Sequence, residues 1–157
     1  MNPLDPRVKI VWRLSGLIFA LPLIAIAAVI EGALLAPEGI RLFAPGVIAA
    51  LAALVALGLA LLWPGLRYRF WRWQVEADRV LIVKGVVWRS RSLIPRVRIQ
   101  HVDTRSSPLQ RWLGLNSLVI YTAGTRGADV EIPGLAADEA ERMREELARL
   151  EELDDRA

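Results

Sequence analysis

Apolar positions along this chain fall into two patterns. The first is a pair of nearly unbroken runs: "LSGLIFALPLIAIAAVIEGALL" from Leu14 to Leu35, where Glu31 is the single charge, and "LFAPGVIAALAALVALGLALL" from Leu42 to Leu62, which has none. Each is about 21 residues long, and at about 1.5 Å per residue a helix of that length crosses the ~30 Å hydrocarbon core of a bilayer. Ala36 to Arg41 leave room only for a tight hairpin between them. The second pattern begins past Trp63, where apolar and polar residues alternate over short stretches.

That alternation predicts strands. Trp71, Trp73 and Val75 alternate with Arg72 and Gln74, the period of a half-buried strand, and Glu76 to Arg79 form a tight polar turn. Val80 to Val83 are continuously apolar, and Lys84 and Gly85 offer a second turn or a bulge. Val86 to Ile94, "VVWRSRSLI", then read as a strand with Val86, Trp88 and Ile94 on one face and Arg89 and Arg91 on the other. Pro95 ends it, because proline has no ladder donor. Beyond it Val97 and Ile99 share a strand face opposite Arg96 and Arg98, and the apolar parity switches between Ile99 and Val102. A β-bulge at Gln100 and His101 produces such a switch and turns the strand around a barrel corner. It also leaves their polar side chains near freed backbone groups.

Leu118 to Thr122 and Val130 to Ile132 are two further strands, joined by the turn-rich "AGTRGAD". Six or seven short strands within about seventy residues predict a small barrel or sandwich. Asp138 followed by Glu141 resembles a capping box, and Ala140, Met143, Leu147 and Leu150 recur at helical spacing behind it. This amphipathic helix is expected to bury its stripe on the open end of the barrel, a short coiled-coil seam being the alternative.

Charge adds an orientation. Arg7, Lys9 and Arg13 precede the first span and Arg67, Arg69 and Arg72 follow the second, whereas the link carries only Arg41. Positive flanks stay in the cytoplasm, so both termini are expected there, with Trp12 and Trp63 at one headgroup layer. The expected organisation is a basic cytoplasmic N-terminus (1–13), a two-span hairpin (14–63), a cytoplasmic domain (64–153) and an acidic tail (154–157). A cleaved signal peptide is the competing reading, but its apolar region is only about 7 to 15 residues. From Pro64 to Leu135 there are 12 Lys and Arg against 5 Asp and Glu; from Ala136 to Ala157 there are 4 against 9. A basic body beneath an anionic leaflet is drawn to it, although positive-inside bias and solvated strand faces produce the same count. In the second span, Ala49 and Ala53, and then Ala52, Ala56 and Ala60, allow close approach of another helix, either the first span or another subunit.

Candidate chemistry gathers in "HVDTRSSPLQRWLGL", His101 to Leu115, which holds the chain's only histidine. A serine nucleophile needs a base in reach and a third group to orient it. Ser107, Pro108 and Gln110 have a better local role as cap, first residue and third residue of a short helix, which Gly114 stops with Leu115 closing over the turn. The helix, Pro108 to Leu113, would present Leu109, Trp112 and Leu113 on one face, with Arg111 away from it. No catalytic residue is assigned, and His101 is read as structural. With no cysteine and one histidine, disulfides, thiolate sites and the familiar zinc constellations are excluded, and no cofactor is expected.

The order of "RIQHVDT", "GL", "TAG" and "IPGL" between Arg98 and Leu135 resembles the YdbS-like bacterial membrane proteins that carry a pleckstrin-homology-like (PH-like) domain. The two preceding spans are also typical of that family. The resemblance implies two packed antiparallel sheets capped at one end by the C-terminal helix, a noncatalytic module and frequent oligomerisation. The expected fold is thus a two-helix transmembrane hairpin followed by a mainly-β PH-like barrel or sandwich, with one short internal helix and a C-terminal capping helix.

The basic first hairpin loop that binds lipid headgroups in eukaryotic relatives is replaced here by the short, half-acidic Glu76 to Arg79. Lys84, Arg89 and Arg91 around the next hairpin are a displaced candidate for an anionic headgroup, with a solvated strand face as the plainer reading. The leading expectation is a cytoplasmic-facing scaffold in the lipid bilayer. It would form a homo-oligomer or a complex with a related PH-like membrane protein, with Leu109, Trp112 and Leu113 making contacts. Headgroup recognition comes second. A small membrane enzyme, to be revived only by a turnover lost on His101→Ala, comes third, and no nucleic-acid partner is expected.

Overall fold

The computed structural model describes residues 1–34, 46–123 and 129–154. The expected link from Ala36 to Arg41, Pro45 and most of "AGTRGAD" lie outside them, as do the side chains beyond Ala148, Leu150 among them. The chain forms two compact units: Lys9–Leu66, and Met1–Val8 together with Arg67–Ala157.

The helical unit contains most of α1 (Val8–Leu34) and α2 (Val47–Arg69). Both are long and apolar enough to cross a membrane. They extend past the hydropathic runs, to Val8 and to Arg69, because hydropathy marks contact with hydrocarbon whereas helix hydrogen bonding continues through polar residues. Large apolar side chains such as Phe19, Leu54 and Leu62 point outward, and Ala20 and Ala60 are buried. A Cβ on Gly16 would sit 3.1 Å from the Ala60 Cβ, so the small-residue stripe meets the first helix at this point. Glu31 makes a further contact: its carboxylate accepts the Gly46 amide at 2.7 Å and the Ala49 amide at 2.9 Å. The one charge in the first apolar run therefore caps the first turn of α2, whose amides have no intrahelical acceptor.

The second unit holds two three-stranded antiparallel sheets. The first has the order β1-β2-β3: β1 (Arg72–Val75), β2 (Arg79–Lys84) and β3 (Ser90–Pro95). The second has the order β4-β5-β6: β4 (Ile99–Arg105), β5 (Leu115–Thr122) and β6 (Val130–Ala136). Among the described residues six strands match the lower expectation, and the two sheets are not joined into a closed barrel. Trp73, Val80, Ile82 and Ile94 form the buried face of the first sheet. Leu118, Ile120, Ile132 and Leu135 are fully buried in the second.

Helix α4 (Ala137–Asp154) packs on the second sheet and buries Ala140, Met143 and Leu147, the expected stripe. Its start differs from expectation. Asp138 lies inside the first turn rather than at the cap, where it pairs with Arg142 at 3.0 Å, and the Ala137 amide is satisfied by the Gly114 carbonyl. A neighbouring chain segment thus takes over the role of a capping side chain.

Two strand readings are corrected. Val86, Trp88 and Arg89 are not in a strand: Gly85 to Arg89 form the loop between β2 and β3, and Trp88 is 89% exposed. Gly85 has φ +113, and a Cβ there would run into the Trp88 carbonyl, so the chain must reverse here. Arg96–Arg98 is a 3₁₀ turn, which leaves Val97 81% exposed rather than sharing a strand face with Ile99. Alternation alone does not separate a strand from a turn that happens to repeat the same parity.

The first eight residues form a clasp across both sheets. Asn2 bridges to Trp73, with the Asn2 amide donating to the Trp73 carbonyl at 2.6 Å and the Trp73 amide to the Asn2 carbonyl at 3.0 Å. The Trp73 indole N–H donates to the Pro3 carbonyl at 3.2 Å. The Asp5 amide reaches the Gly134 carbonyl of β6 at 3.0 Å, and Leu4 and Val8 are among the most buried side chains of the molecule. Gly134 has φ +64, and a Cβ on it would overlap the Val8 side chain. The clasp therefore lies flat on this turn of β6.

Candidate functional site

The segment around the lone histidine carries the expected bulge. Register between β4 and β5 passes from Ile99↔Thr122 to His101↔Tyr121, leaving Gln100 as the extra residue of a bulge. Downstream, Val102 and Thr104 turn inward while His101, Asp103 and Arg105 face out. The imidazole of His101 stacks on the Tyr121 ring with centroids 4.0 Å apart and planes 19° from parallel. Arg105 completes the group, donating to the Tyr121 hydroxyl. The expectation that Gln100 and His101 bond to backbone freed by the bulge is replaced, for His101, by ring stacking with its cross-strand neighbour.

Ser107 caps α3 (Pro108–Trp112) with both bonds of a capping box. The Gln110 amide donates to Ser107 Oγ at 3.2 Å, and the Ser107 amide donates to Gln110 Oε1 at 2.8 Å. The other end of the Gln110 side chain donates to buried Ser117 Oγ at 3.0 Å, fixing the helix to β5. Gly114 stops the helix at φ +66. A long-range bond adds to this, as Arg7 Nη1 donates to the Leu113 carbonyl at 2.9 Å. The same guanidinium pairs with Asp5 at 2.9 Å and, with the Arg7 amide, holds that carboxyl below its usual range; the partnership also raises Arg7. Glu139, on α4, moves the other way, because burial favours its neutral form.

Of the residues expected to meet a partner, Leu109 and Leu113 are half-buried, whereas Trp112 is 76% exposed and offers its indole on a helix fixed at both ends. The cations expected to hold an anionic headgroup are not gathered on one face. Lys84 pairs with Ser90 and Arg91 with Val83 across adjacent register positions, and successive strand residues point to opposite faces. Arg89 lies in the loop, its guanidinium 5.4 Å from the centre of the Phe70 ring. Sequence reading missed Val87 and Trp88 as an exposed hairpin tip, although Gly85 was the available signal. Among the described residues no cluster of three or more His, Cys, Asp or Glu side chains could hold a metal ion.

These two sheets, the helix packed on the second and the preceding apolar pair are covered together by a single family match, which runs over residues 16–151. The chain belongs to the bacterial PH domain family. It is similar to the transmembrane protein YdbS of Bacillus subtilis (strain 168), with 31% identity over 98% of this chain and 94% of that protein. No solved structure gives a significant match. For this bacterial PH domain the match begins at Gly16, so all of α2 and α1 from Gly16 onward fall within the shared region, in keeping with a membrane-associated family.

Proposed function

We propose that this bacterial PH domain is a noncatalytic scaffold, held at the cytoplasmic face of the membrane by its two spans and assembling with copies of itself or with a related PH-like membrane protein. One observation carries the reading: Trp112 stands exposed on a short helix braced by the Ser107–Gln110 capping box, Ser117 and Arg7. A large aromatic whose backbone is already ordered is what a contact anchor requires, since little entropy remains to be lost on binding. The clasp supports the membrane arrangement. Residues on either side of the two-helix hairpin fold into one unit, as they would if both helices cross the bilayer and return the chain to its starting side.

Native mass spectrometry of the full chain released from nanodiscs tests the proposal. A defined oligomer or a co-purifying PH-like membrane protein is expected, and Trp112→Glu should dissociate it. A wild-type chain that is monomeric and unaccompanied at every concentration would overturn the scaffold reading.

Headgroup recognition remains as a second reading because Arg89 and Arg91 are both exposed and Arg89 lies against Phe70, immediately beyond α2. Changing Lys84, Arg89 and Arg91 to glutamate should then abolish binding to anionic vesicles, and unchanged binding would discard it.

A further inference from the structure

We propose that the β2–β3 hairpin tip, Val87 and Trp88, inserts into the interfacial layer of the membrane that α2 crosses and holds the β-domain against it. This rests on reading α1 and α2 as membrane spans. Both tip residues are exposed, Val87 at 71% and Trp88 at 89%, and Gly85 fixes the reversal that presents them. Solvated turns are built from Gly, Asn, Asp, Pro and Ser, whereas this one places valine and tryptophan outermost. Tryptophan is the side chain that prefers the headgroup boundary, with its ring in the apolar layer and its N–H toward water.

The location of the tip selects a membrane as its occupant. Arg89 lies over Phe70, and Phe70 directly follows Arg69, the last residue of α2. Trp88 and Val87 come next along the loop, within about 7 Å of chain from Arg89. The tip is thus held close to Phe70, the residue that follows α2 and lies eight positions past the end of its apolar run. Lys84, Arg89 and Arg91 lie within four residues of the tip along the chain and give this hairpin a positive charge, which suits anionic headgroups. The apolar tip supplies insertion and the cations supply attraction to the surface, a combination that neither set provides alone.

The chain has no cysteine, so single cysteines can be labelled cleanly in the full-length protein. Val87→Cys, Val97→Cys and Leu54→Cys, each carrying an environment-sensitive fluorophore, are placed in nanodiscs of phosphatidylcholine and phosphatidylglycerol. Nitroxide-bearing lipid is then added as a quencher. All three positions are exposed, so labelling leaves the core intact. The expected result is a blue-shifted label at position 87 that shallow nitroxides quench, a label at 54 that deep nitroxides quench, and a label at 97 that neither affects. Adding Trp88→Glu should release the label at 87 into water. If 54 is quenched while 87 behaves like 97, the insertion proposal is overturned and the spans stand. An unquenched label at 54 would overturn both. Efficient disulfide capture between two Val87→Cys chains, without lipid quenching, would overturn insertion in favour of a contact between copies.

Discussion

Gly134→Ala tests the clasp that joins the N-terminal segment to β6. Two costs are expected, and they are separable. The backbone at φ +64 disfavours any Cβ by about 1–2 kcal/mol. The new methyl must also occupy space now filled by Val8, an overpacking cost of about 1–3 kcal/mol. The sum, about 2–5 kcal/mol, falls on contacts that hold residues 2–8 and need not unfold both sheets. Hydrogen exchange of the intact protein in nanodiscs, read on N-terminal peptides, is the suitable assay. At about 1.4 kcal/mol per tenfold, protection of the Asp5 and Val8 amides should fall at least about thirtyfold. Val8→Ala on its own also loosens the segment, but it makes room for the new methyl. In the double variant the steric part should vanish while the backbone part stays, giving a coupling of about 1–3 kcal/mol. Strictly additive single and double variants would refute the packing of Val8 on Gly134.

Four further outcomes follow. Gly16→Leu should force α1 and α2 apart at Ala60 for about 1–3 kcal/mol, read as easier unfolding of the hairpin in a detergent titration. Glu31→Ala should raise exchange at the Gly46 and Ala49 amides while leaving the sheets unchanged. Ser107→Ala removes the cap of α3 and should cost about 1 kcal/mol, lowering Tm by about 4–8 °C in a domain of this size. The carboxyl of Asp5 titrates below its unfolded value, so its contribution is complete above about pH 3.9 and is lost as pH falls through the lower folded pKa. Exchange in the clasp should therefore show no Asp5-dependent change between about pH 5 and 8, should rise as pH falls through the lowered folded pKa, and should lose this dependence in Asp5→Asn.

The elements legible in sequence are those specified by neighbouring residues. The Ser107–Gln110 capping box, the stop at Gly114, the bulge at Gln100 and the apolar stripe of α4 each depend on spacing within one segment. The features that escape depend on distant partners. Nothing in "MNPLDPRV" announces that Leu4 and Val8 are core residues, because the segment's contacts with Trp73 and Gly134 lie about 70 and 130 residues away. Glu31 stands out as a charge among apolar residues, yet its role requires the start of α2 to be placed beside it. Trp88 reads as a buried-face residue because the loop preserves strand parity, and Lys84 and Arg91 read as a cluster because spacing along a hairpin does not reveal which face each residue occupies.

The clasp also bears on how the protein is made. Residues 2–8 leave the ribosome before either apolar helix, whereas their acceptors at Trp73 and Gly134 follow both. The β-domain can therefore finish folding only after both helices have been made and the early segment has met the late one. Until then Leu4 and Val8 have no pocket, and the apolar slot that they fill in the β-domain stays open.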